Sequence, residues 1–281
     1  MKRNQIILAT LLVCIFLAGC GSAPASVQEA TAGPSVPETI AVIPETAAPA
    51  ATTEATEPAP FEITVTPVIT QTQNSVTVTT ADEFLAAIAP DTEIIVDAEL
   101  IDLSEASNYG KTVSGQYYYW NESFDGPELY ISGVSNLTIR GSGEDHNANV
   151  ISSVPRYSNV LTFQNCSNIM LKGLTAGHTE EPGSCTGGVL QFQNSQDILV
   201  EDCGLFGCGT LGVIAHNSKN MQIINNEIYE CSVGGVEFTN CDDVNVDGNI
   251  FRDLGGCEFR VYGCGSITCN GEPVPDFSPR Q

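Results

Sequence analysis

A four-residue alternation of polar and apolar residues recurs along the second half of the chain at a spacing of 23 residues. Each copy has a polar residue of the kind that favours turns, then an apolar, a variable and another apolar residue. An alternation with a period of two predicts strands with one buried face, and a repeat of about 20 residues with several strands is typical of a solenoid. The sequence therefore predicts a β-solenoid. The regular copies begin at Asp197, Asn220, Asp243 and Ser266, and looser ones at Asn136 and Asn168.

Two further strands fit into each repeat. A second strand ends at a turn residue in four consecutive repeats, and a third short strand is indicated by Leu205, Ile228 and Phe251. Three short strands per 23-residue coil predict an all-β fold, a parallel β-helix of about six coils. The inward columns of the second strands are predicted to be Leu190, Val213, Val236 and Phe259, beside Phe192, Ala215, Phe238 and Val261.

A short amphipathic helix is predicted ahead of the repeats. The sequence Thr-Ala-Asp-Glu at 80–83 is a capping box in front of Phe84 and Leu85, and a helix here would close the end of the core. The apolar segment 93–96 follows as the predicted first strand. This opening resembles the start of the pectate-lyase-like right-handed β-helix superfamily, and the resemblance extends over residues 75–275. It implies a right-handed helix, whereas fold alone implies no activity.

The N-terminal part of the chain has the composition of an export signal and a tether. Residues 1–19 are predicted to be a signal peptide, because two basic residues precede a short apolar run. The Leu-Ala-Gly-Cys that ends at Cys20 resembles a bacterial lipobox, which implies lipidation of Cys20; an ordinary signal peptide or a membrane anchor is the alternative. Residues 20–60, rich in Ala, Thr, Pro and Glu, predict a disordered tether. The β-helix domain with its cap is predicted over 61–281, held on the extracytoplasmic face of the cell membrane.

The charge balance restricts the possible partners. The net charge is −24, with ten Lys and Arg residues in 281, and the pI is about 4.1. Such a chain lacks the basic surface that neutralises phosphates, so nucleic acid is excluded as a partner, and a free polyanionic glycan would be repelled. No cofactor motif is present.

Nine of the eleven cysteines lie in the predicted domain, after Cys14 in the signal peptide and Cys20. Several are 23 residues apart, so they are expected to stack on successive coils about 4.8 Å apart. Stacked cysteines have parallel Cβ vectors, which suit a disulfide poorly, and free thiols are therefore favoured. Zinc is an alternative for Cys203 with Cys208, or Cys264 with Cys269, but these separations fit no common zinc site. No metal is predicted.

The catalytic motifs of the superfamily are missing. Galacturonan hydrolases of this fold have aspartates just before the second strand, followed by Gly-His-Gly, and glycoside hydrolysis requires paired carboxyl groups. Pectate lyases have an Asp-His pair and an Arg-x-Pro-x-x-Arg segment; the sequence has one Asp-His, at 145–146, but no Arg-x-Pro-x-x-Arg segment. The positions before the second strands are instead Gly187, Leu211, Gly234 and Cys257.

The candidate site lies where the repeat is interrupted. Six extra residues fall between 173 and 185, and loops that interrupt a regular scaffold often carry function. This loop is predicted to overhang the outward face of the second strands, on which a sugar could bind; a solvated polar face is the alternative. An aromatic segment at 117–120 is either a sugar-stacking platform or packing of an insertion. The predicted ligand-binding residues are His178, Glu180, Glu181, Gln191, Gln193, His216, Glu237, Arg260 and Tyr262.

Two functions remain open from the sequence. The first is a lipid-anchored, non-catalytic protein that binds or displays a glycan of the cell envelope or host. The second is a polysaccharide lyase or hydrolase that uses an unfamiliar constellation, such as Glu237 or His216 with Arg260. The missing aspartates favour binding.

Overall fold

A computed structural model describes residues 74–111, 115–178, 186–207 and 210–277, which all belong to one compact unit, Glu62–Gln281. The helix α1 is Ala81–Ala87, and two 3-10 turns are Leu103–Glu105 and His146–Ala148. The strands in chain order are β1 Asn74–Val78, β2 Thr92–Val96, β3 Leu100–Asp102, β4 Tyr118–Glu122, β5 Pro127–Ser132, β6 Ser135–Gly141, β7 Val150–Ser153, β8 Leu161–Gln164, β9 Ser167–Lys172, β10 Thr175–His178, β11 Leu190–Gln193, β12 Gln196–Glu201, β13 Gly204–Phe206, β14 Leu211–His216, β15 Lys219–Ile224, β16 Glu227–Tyr229, β17 Gly234–Thr239, β18 Asp242–Asp247, β19 Ile250–Arg252, β20 Cys257–Tyr262, β21 Ile267–Cys269 and β22 Glu272–Pro273.

The strands form three sheets that run the length of the domain. The first sheet has the order β1-β2-β6-β9-β12-β15-β18-β21-β22, the second β4-β5-β8-β11-β14-β17-β20, and the third β3-β7-β10-β13-β16-β19. The chain visits the first, third and second sheets in turn, and neighbouring coils pair in parallel. Within the described residues, six successive coils contribute a strand to all three sheets. The predicted all-β parallel β-helix of about six coils is confirmed.

The 23-residue repeat holds only in the C-terminal half of the helix. Gln196 pairs with Lys219 and Lys219 with Asp242, each 23 residues further on. Towards the N-terminus, Ser135 pairs with Ser167, which is 32 residues away. The earlier coils are longer because insertions leave the sheets between strands, whereas the strands themselves stay in register.

Polar residues in the left-handed backbone region turn the chain at the corners of each coil. The first residue of five copies of the repeated four-residue alternation adopts φ near +55°, as Asn168, Asp197 and Asn220 do. Asn and Asp tolerate this conformation because their short polar side chains bond locally. Asn220 Nδ2 also donates to Asp197 Oδ1 at 2.6 Å on the coil below. The polar residue that begins the four-residue alternation therefore turns the chain and links two coils.

The core consists of stacked inward-facing columns. Leu190, Val213 and Val236 are in register on neighbouring strands, and each is fully buried. In the next column, the rings of Phe163 and Phe192 stack with centroids 5.2 Å apart. An aromatic pair of this kind contributes about 0.5–1.5 kcal/mol beyond its buried area. The predicted inward columns of the second strands are confirmed.

The N-terminal end of the core is closed by α1, as the sequence predicts. Thr80 is the N-cap, and its hydroxyl accepts the backbone N–H of Glu83 at 3.3 Å. The carboxylate of Glu83 bonds to the backbone N–H of Thr79, one residue before the cap, at 2.8 Å. Phe84 and Leu85 are buried against the first coil. Among the described residues, no helix has the length and apolar character needed to cross a membrane.

Segment 93–96 lies in a strand, β2 Thr92–Val96, as predicted, but it is the second strand of the fold and not the first. The strand β1 precedes α1 and pairs in parallel with β2, so that Val78 lies beside Val96. Four of the five residues of β1 are exposed, Val76 among them, so the strand buries only Val78. It lies at the edge of its sheet and pairs through its backbone, and its short Val-Thr-Val alternation stands outside the 23-residue repeat.

The aromatic insertion forms a hairpin at the N-terminal edge of the second sheet. The strand β4 pairs antiparallel with β5, which places Trp120 opposite Leu129 and Tyr119 opposite Tyr130. Trp120 packs on the core, edge-on to Tyr109 at 5.1 Å, and donates its Nε1–H to Asn108 at 3.2 Å. Trp120 therefore packs the insertion, whereas Tyr119 faces outward.

The cysteines in the described ranges are free thiols on stacked coils. Cys241 and Cys264 occupy equivalent corners, and the backbone N–H of Cys241 lies 3.3 Å from the sulfur of Cys264. Cys203 and Cys231 are fully buried, and burial raises the pKa of each thiol to about 12. The buried thiols therefore serve as small apolar residues, as the stacking argument predicts. Cys185 and Cys208 lie outside the described residues.

Candidate functional site

The outward face of the second sheet has the two columns that the sequence predicts, and we call it the second-sheet face. Gln191 pairs with Ile214, which pairs with Glu237, which pairs with Arg260. The next column holds Gln193, His216, Thr239 and Tyr262 in the same manner. The structure therefore places six of the predicted site residues on one continuous face: Gln191, Gln193, His216, Glu237, Arg260 and Tyr262.

The C-terminal end of this face holds an ion pair beside an aromatic ring. Arg260 Nε donates to Glu237 Oε2 at 2.9 Å, and both side chains are partly exposed. The guanidinium carbon of Arg260 lies 5.9 Å from the centre of the Tyr262 ring. The pair is partly screened by solvent, so it contributes at most about 1 kcal/mol to stability, but it fixes a charged donor and an acceptor at the surface.

The prediction that His178 forms a wall over this face is wrong. His178 ends β10 in the third sheet, pairs with Ser153, and is 1% exposed. Its Nε2 lies 3.1 Å from the carbonyl oxygen of Gly188, which can only accept, so Nε2 carries the proton. Burial lowers the pKa of His178. The prediction was wrong because the whole insertion was expected to form a loop, whereas the strand β10 continues to His178. Glu180 and Glu181 lie outside the described residues.

A buried carboxyl group that the sequence pattern did not predict lies at the N-terminal end of the face. Glu128 in β5 is 6% exposed and accepts hydrogen bonds from Asn159 Nδ2 at 2.8 Å and from the Thr162 hydroxyl. Burial raises the pKa of Glu128, and its hydrogen bonds oppose the rise. Asn159 is held in turn by the backbone N–H of Gly188, which donates to Asn159 Oδ1 at 2.8 Å.

Three glutamine amides continue from this carboxyl group across the face. Asn159 Nδ2 and Gln193 Nε2 both donate to Gln191 Oε1, at 3.1 and 2.8 Å. Gln164 Nε2 donates to Gln193 Oε1 at 3.2 Å, and the Tyr119 hydroxyl donates to Gln164 Oε1 at 3.2 Å. We call these connected residues the amide cluster: Tyr119, Glu128, Asn159, Thr162, Gln164, Gln191 and Gln193.

Two tyrosine rings border the amide cluster. Tyr119 and Tyr130 stack with centroids 5.0 Å apart and planes 24° apart, and burial raises the pKa of both hydroxyls. The sequence did contain a signal for this part of the site. Leu129 and Ile131 alternate as apolar residues, which places Glu128 and Tyr130 on the outward face, but the segment does not follow the 23-residue spacing.

The second-sheet face presents groups that suit a polar, uncharged ligand. Amides, hydroxyls and aromatic rings dominate, and the Glu128 carboxyl group is covered by Asn159 and Thr162. Specific sites for small ligands usually place a few polar groups among apolar and aromatic surface. Among the residues that the structure describes, no three His, Cys, Asp or Glu side chains converge in a way that could hold a metal ion.

A concave surface lies elsewhere, at the corner between the first and third sheets. It encloses about 640 Å³ and is lined by Arg140, His146 and Lys172 among others. Arg140 Nε lies 2.7 Å from Glu93, and Lys172 Nζ lies 2.6 Å from Glu201. Both cations are therefore already paired with carboxylates of the protein.

Comparison with known proteins places the chain in a family. Residues 106–272, more than half of the chain, match the family described as right handed beta helix region, and no curated protein sequence matches. Similar solved structures include a putative glycosyl hydrolase from Parabacteroides merdae, with 10% identity over 69% of this chain and 96% of that one and a TM-score of 0.38.

Two lyases from Paenibacillus are also similar. The alginate lyase has 14% identity over 70% of this chain and 65% of its own, with a TM-score of 0.43. The pectate lyase has 11% identity over 60% of this chain and 59% of its own, with a TM-score of 0.34. The chain thus spans less than two thirds of either lyase, and likeness at this level concerns the fold alone. The match over residues 106–272 shows that this protein belongs to the right-handed β-helix family, as its resemblance to the pectate-lyase-like superfamily predicts.

Proposed function

We propose that this protein binds an extracellular or cell-envelope polysaccharide along the second-sheet face without cleaving it. The amide cluster carries the proposal, because four amide and hydroxyl side chains are held in fixed orientations beside the stacked rings of Tyr119 and Tyr130. Sugars present hydroxyl groups and flat apolar faces, which amides and aromatic rings bind well. The columns extend over successive coils, so an elongated ligand can contact several of them.

The carboxyl groups that the structure describes on the second-sheet face favour binding over hydrolysis. Hydrolysis of a glycosidic bond generally uses two carboxyl groups about 5–10 Å apart. Within the described residues, Glu128 is the only carboxyl group in the amide cluster. Glu237, which lies on the same face, is paired with Arg260. The net charge of −24 also favours a neutral or zwitterionic glycan.

Binding of the purified protein to a panel of polysaccharides tests this proposal. Once a ligand is found, Arg260→Ala and Tyr262→Ala should each weaken binding by roughly 1 kcal/mol or more, because truncation removes a charged donor and a ring. Ile250→Ala is the control, since Ile250 is 61% exposed on the third sheet. Variants of the second-sheet face that bind like the parent protein would refute the proposal.

Catalysis is the second candidate, and Glu128 is the observation that favours it. A buried carboxyl group with a raised pKa keeps its proton to a higher pH than an exposed one, as a general acid requires. The same panel should therefore be followed by assays for new reducing ends and for the absorbance of unsaturated products. Activity that disappears in Glu128→Gln, with binding retained, would establish the enzyme and exclude the non-catalytic form of the proposal.

The proposed location is the outer side of a membrane, through a lipid on Cys20. Its support is the sequence alone, since residues 1–73 lie outside the described part of the chain. Cys20→Ser should release the protein from membranes or block its processing. Unchanged partitioning of this variant into a detergent phase would contradict the lipid anchor.

A further inference from the structure

The hydrogen bonds of the amide cluster fix the direction in which every amide points. The backbone N–H of Gly188 can only donate, so Asn159 must turn its oxygen to Gly188 and its nitrogen to Glu128 and Gln191. Gln191 must therefore present its oxygen to Asn159. One backbone N–H thus determines the orientation of two side chains.

The next amides along the sheet are oriented in the same way. Because Gln191 presents its oxygen inward, Gln193 bonds to it through Nε2 and keeps its own oxygen for Gln164 Nε2. The oxygen of Gln164 then accepts from the Tyr119 hydroxyl. All four amide oxygens consequently accept hydrogen bonds from groups of the protein, and N–H groups remain in surplus.

Among the four amides, Gln191 has the most N–H groups that donate no hydrogen bond to a described residue. Its Oε1 accepts from both Asn159 and Gln193, whereas its Nε2 donates to no described residue, and the side chain is partly exposed. The next residue in the same column is Ile214, which is 8% exposed. Ile214 lies over Gly188, where a Cβ would be only 2.6 Å from Ile214 Cδ1. A pair of N–H donors therefore adjoins a small apolar surface.

We infer that the second-sheet face selects glycans that contain N-acetylated amino sugars. An acetamido group has a carbonyl oxygen for the Gln191 N–H groups and a methyl group for Ile214, and it carries no charge. A uronate carboxylate would also accept these bonds, but the net charge of −24 opposes a polyanion. This inference rests on the proposed function, because it assigns the sugar class to the same face.

Three oligosaccharides that differ at one position test the inference: tetramers of N-acetylglucosamine, glucosamine and glucose, measured by isothermal titration calorimetry. The N-acetylated tetramer should bind at least about tenfold more tightly than the glucose tetramer, which equals about 1.4 kcal/mol. Gln191→Glu should abolish this preference, because the carboxylate still accepts from Asn159 and Gln193 but has no N–H to donate. Gln222→Glu, on the outer face of the first sheet, is the matched control and should retain the preference.

Gln191→Met covers the case in which Gln191→Glu fails to fold, since it removes the donors without adding charge. Equal binding of the N-acetylated and glucose tetramers would overturn the inference and leave polysaccharide binding intact. A preference that survives in Gln191→Met would overturn it as well. Failure of all three tetramers, and of the wider polysaccharide panel, would overturn the proposed function itself.

Discussion

The substitution Val236→Asp tests the inward columns most directly. Val236 is fully buried and lies between Val213 and Phe259 in the second sheet. Loss of its burial costs about 1.5–3 kcal/mol, and a buried carboxyl group without a partner adds about 1–3 kcal/mol even when it is neutral. The expected destabilisation is about 2.5–6 kcal/mol, a large part of the 5–15 kcal/mol that is typical of a folded domain.

Urea denaturation followed by circular dichroism measures this loss. With a slope of about 2 kcal/mol per molar urea, the midpoint for Val236→Asp should fall by roughly 2 M, or the protein should be unfolded in buffer. Thr239→Asp in the same strand is the control, because its side chain faces outward and is partly exposed. It should shift the midpoint by less than about 0.5 M. Equal midpoints for Val236→Asp and the parent protein would refute the columns as described.

Two other predictions concern titratable groups. Burial raises the pKa of Glu128 in the folded state, so its contribution to stability is fully present below the unfolded pKa and is lost as the pH rises through the folded value. Glu128→Gln cannot ionise, so as the pH rises above about 4.5 the melting temperature of this variant should fall less than that of the parent protein. If the melting temperatures of the two proteins change in parallel with pH, the burial of this carboxyl group is contradicted. Among the thiols, the exposed Cys257 should react with iodoacetamide in the native protein, whereas Cys203 and Cys231, whose pKa values are about 12, should react only in urea. Mass spectrometry of peptides measures the labelling of each cysteine in the native protein and in urea. Labelling of Cys231 in the native protein would refute its position in the core.

The regular part of the fold could be predicted because its signal is local and repeated. The apolar residues of β15 and β18 alternate in the same phase, and turn residues such as Asn220 and Asp243 recur at the corners. Register follows directly from this spacing. The strand β1 and the β4–β5 hairpin could not be placed in the same way, because β1 is mostly exposed and the hairpin lies outside the repeat.

The candidate site was only partly accessible from the sequence. Gln191, Gln193 and Arg260 were placed correctly, because they alternate with buried residues on strands of known register. Glu128 was missed, since its burial depends on Asn159 and Thr162, more than 30 residues away in the chain. His178 was placed on the wrong side because the length of β10 is set by pairing with β7.

The sequence alone determined the solenoid, its three strands per coil and its inward columns, because alternation and spacing specify which face of a strand is buried. It also determined which side chains share the outward face. Only the tertiary structure decided how these side chains are oriented. The hydrogen bond from Gly188 to Asn159, and the burial of Glu128 beside it, depend on loops that meet in space, and together they turn a polar surface into an oriented set of donors.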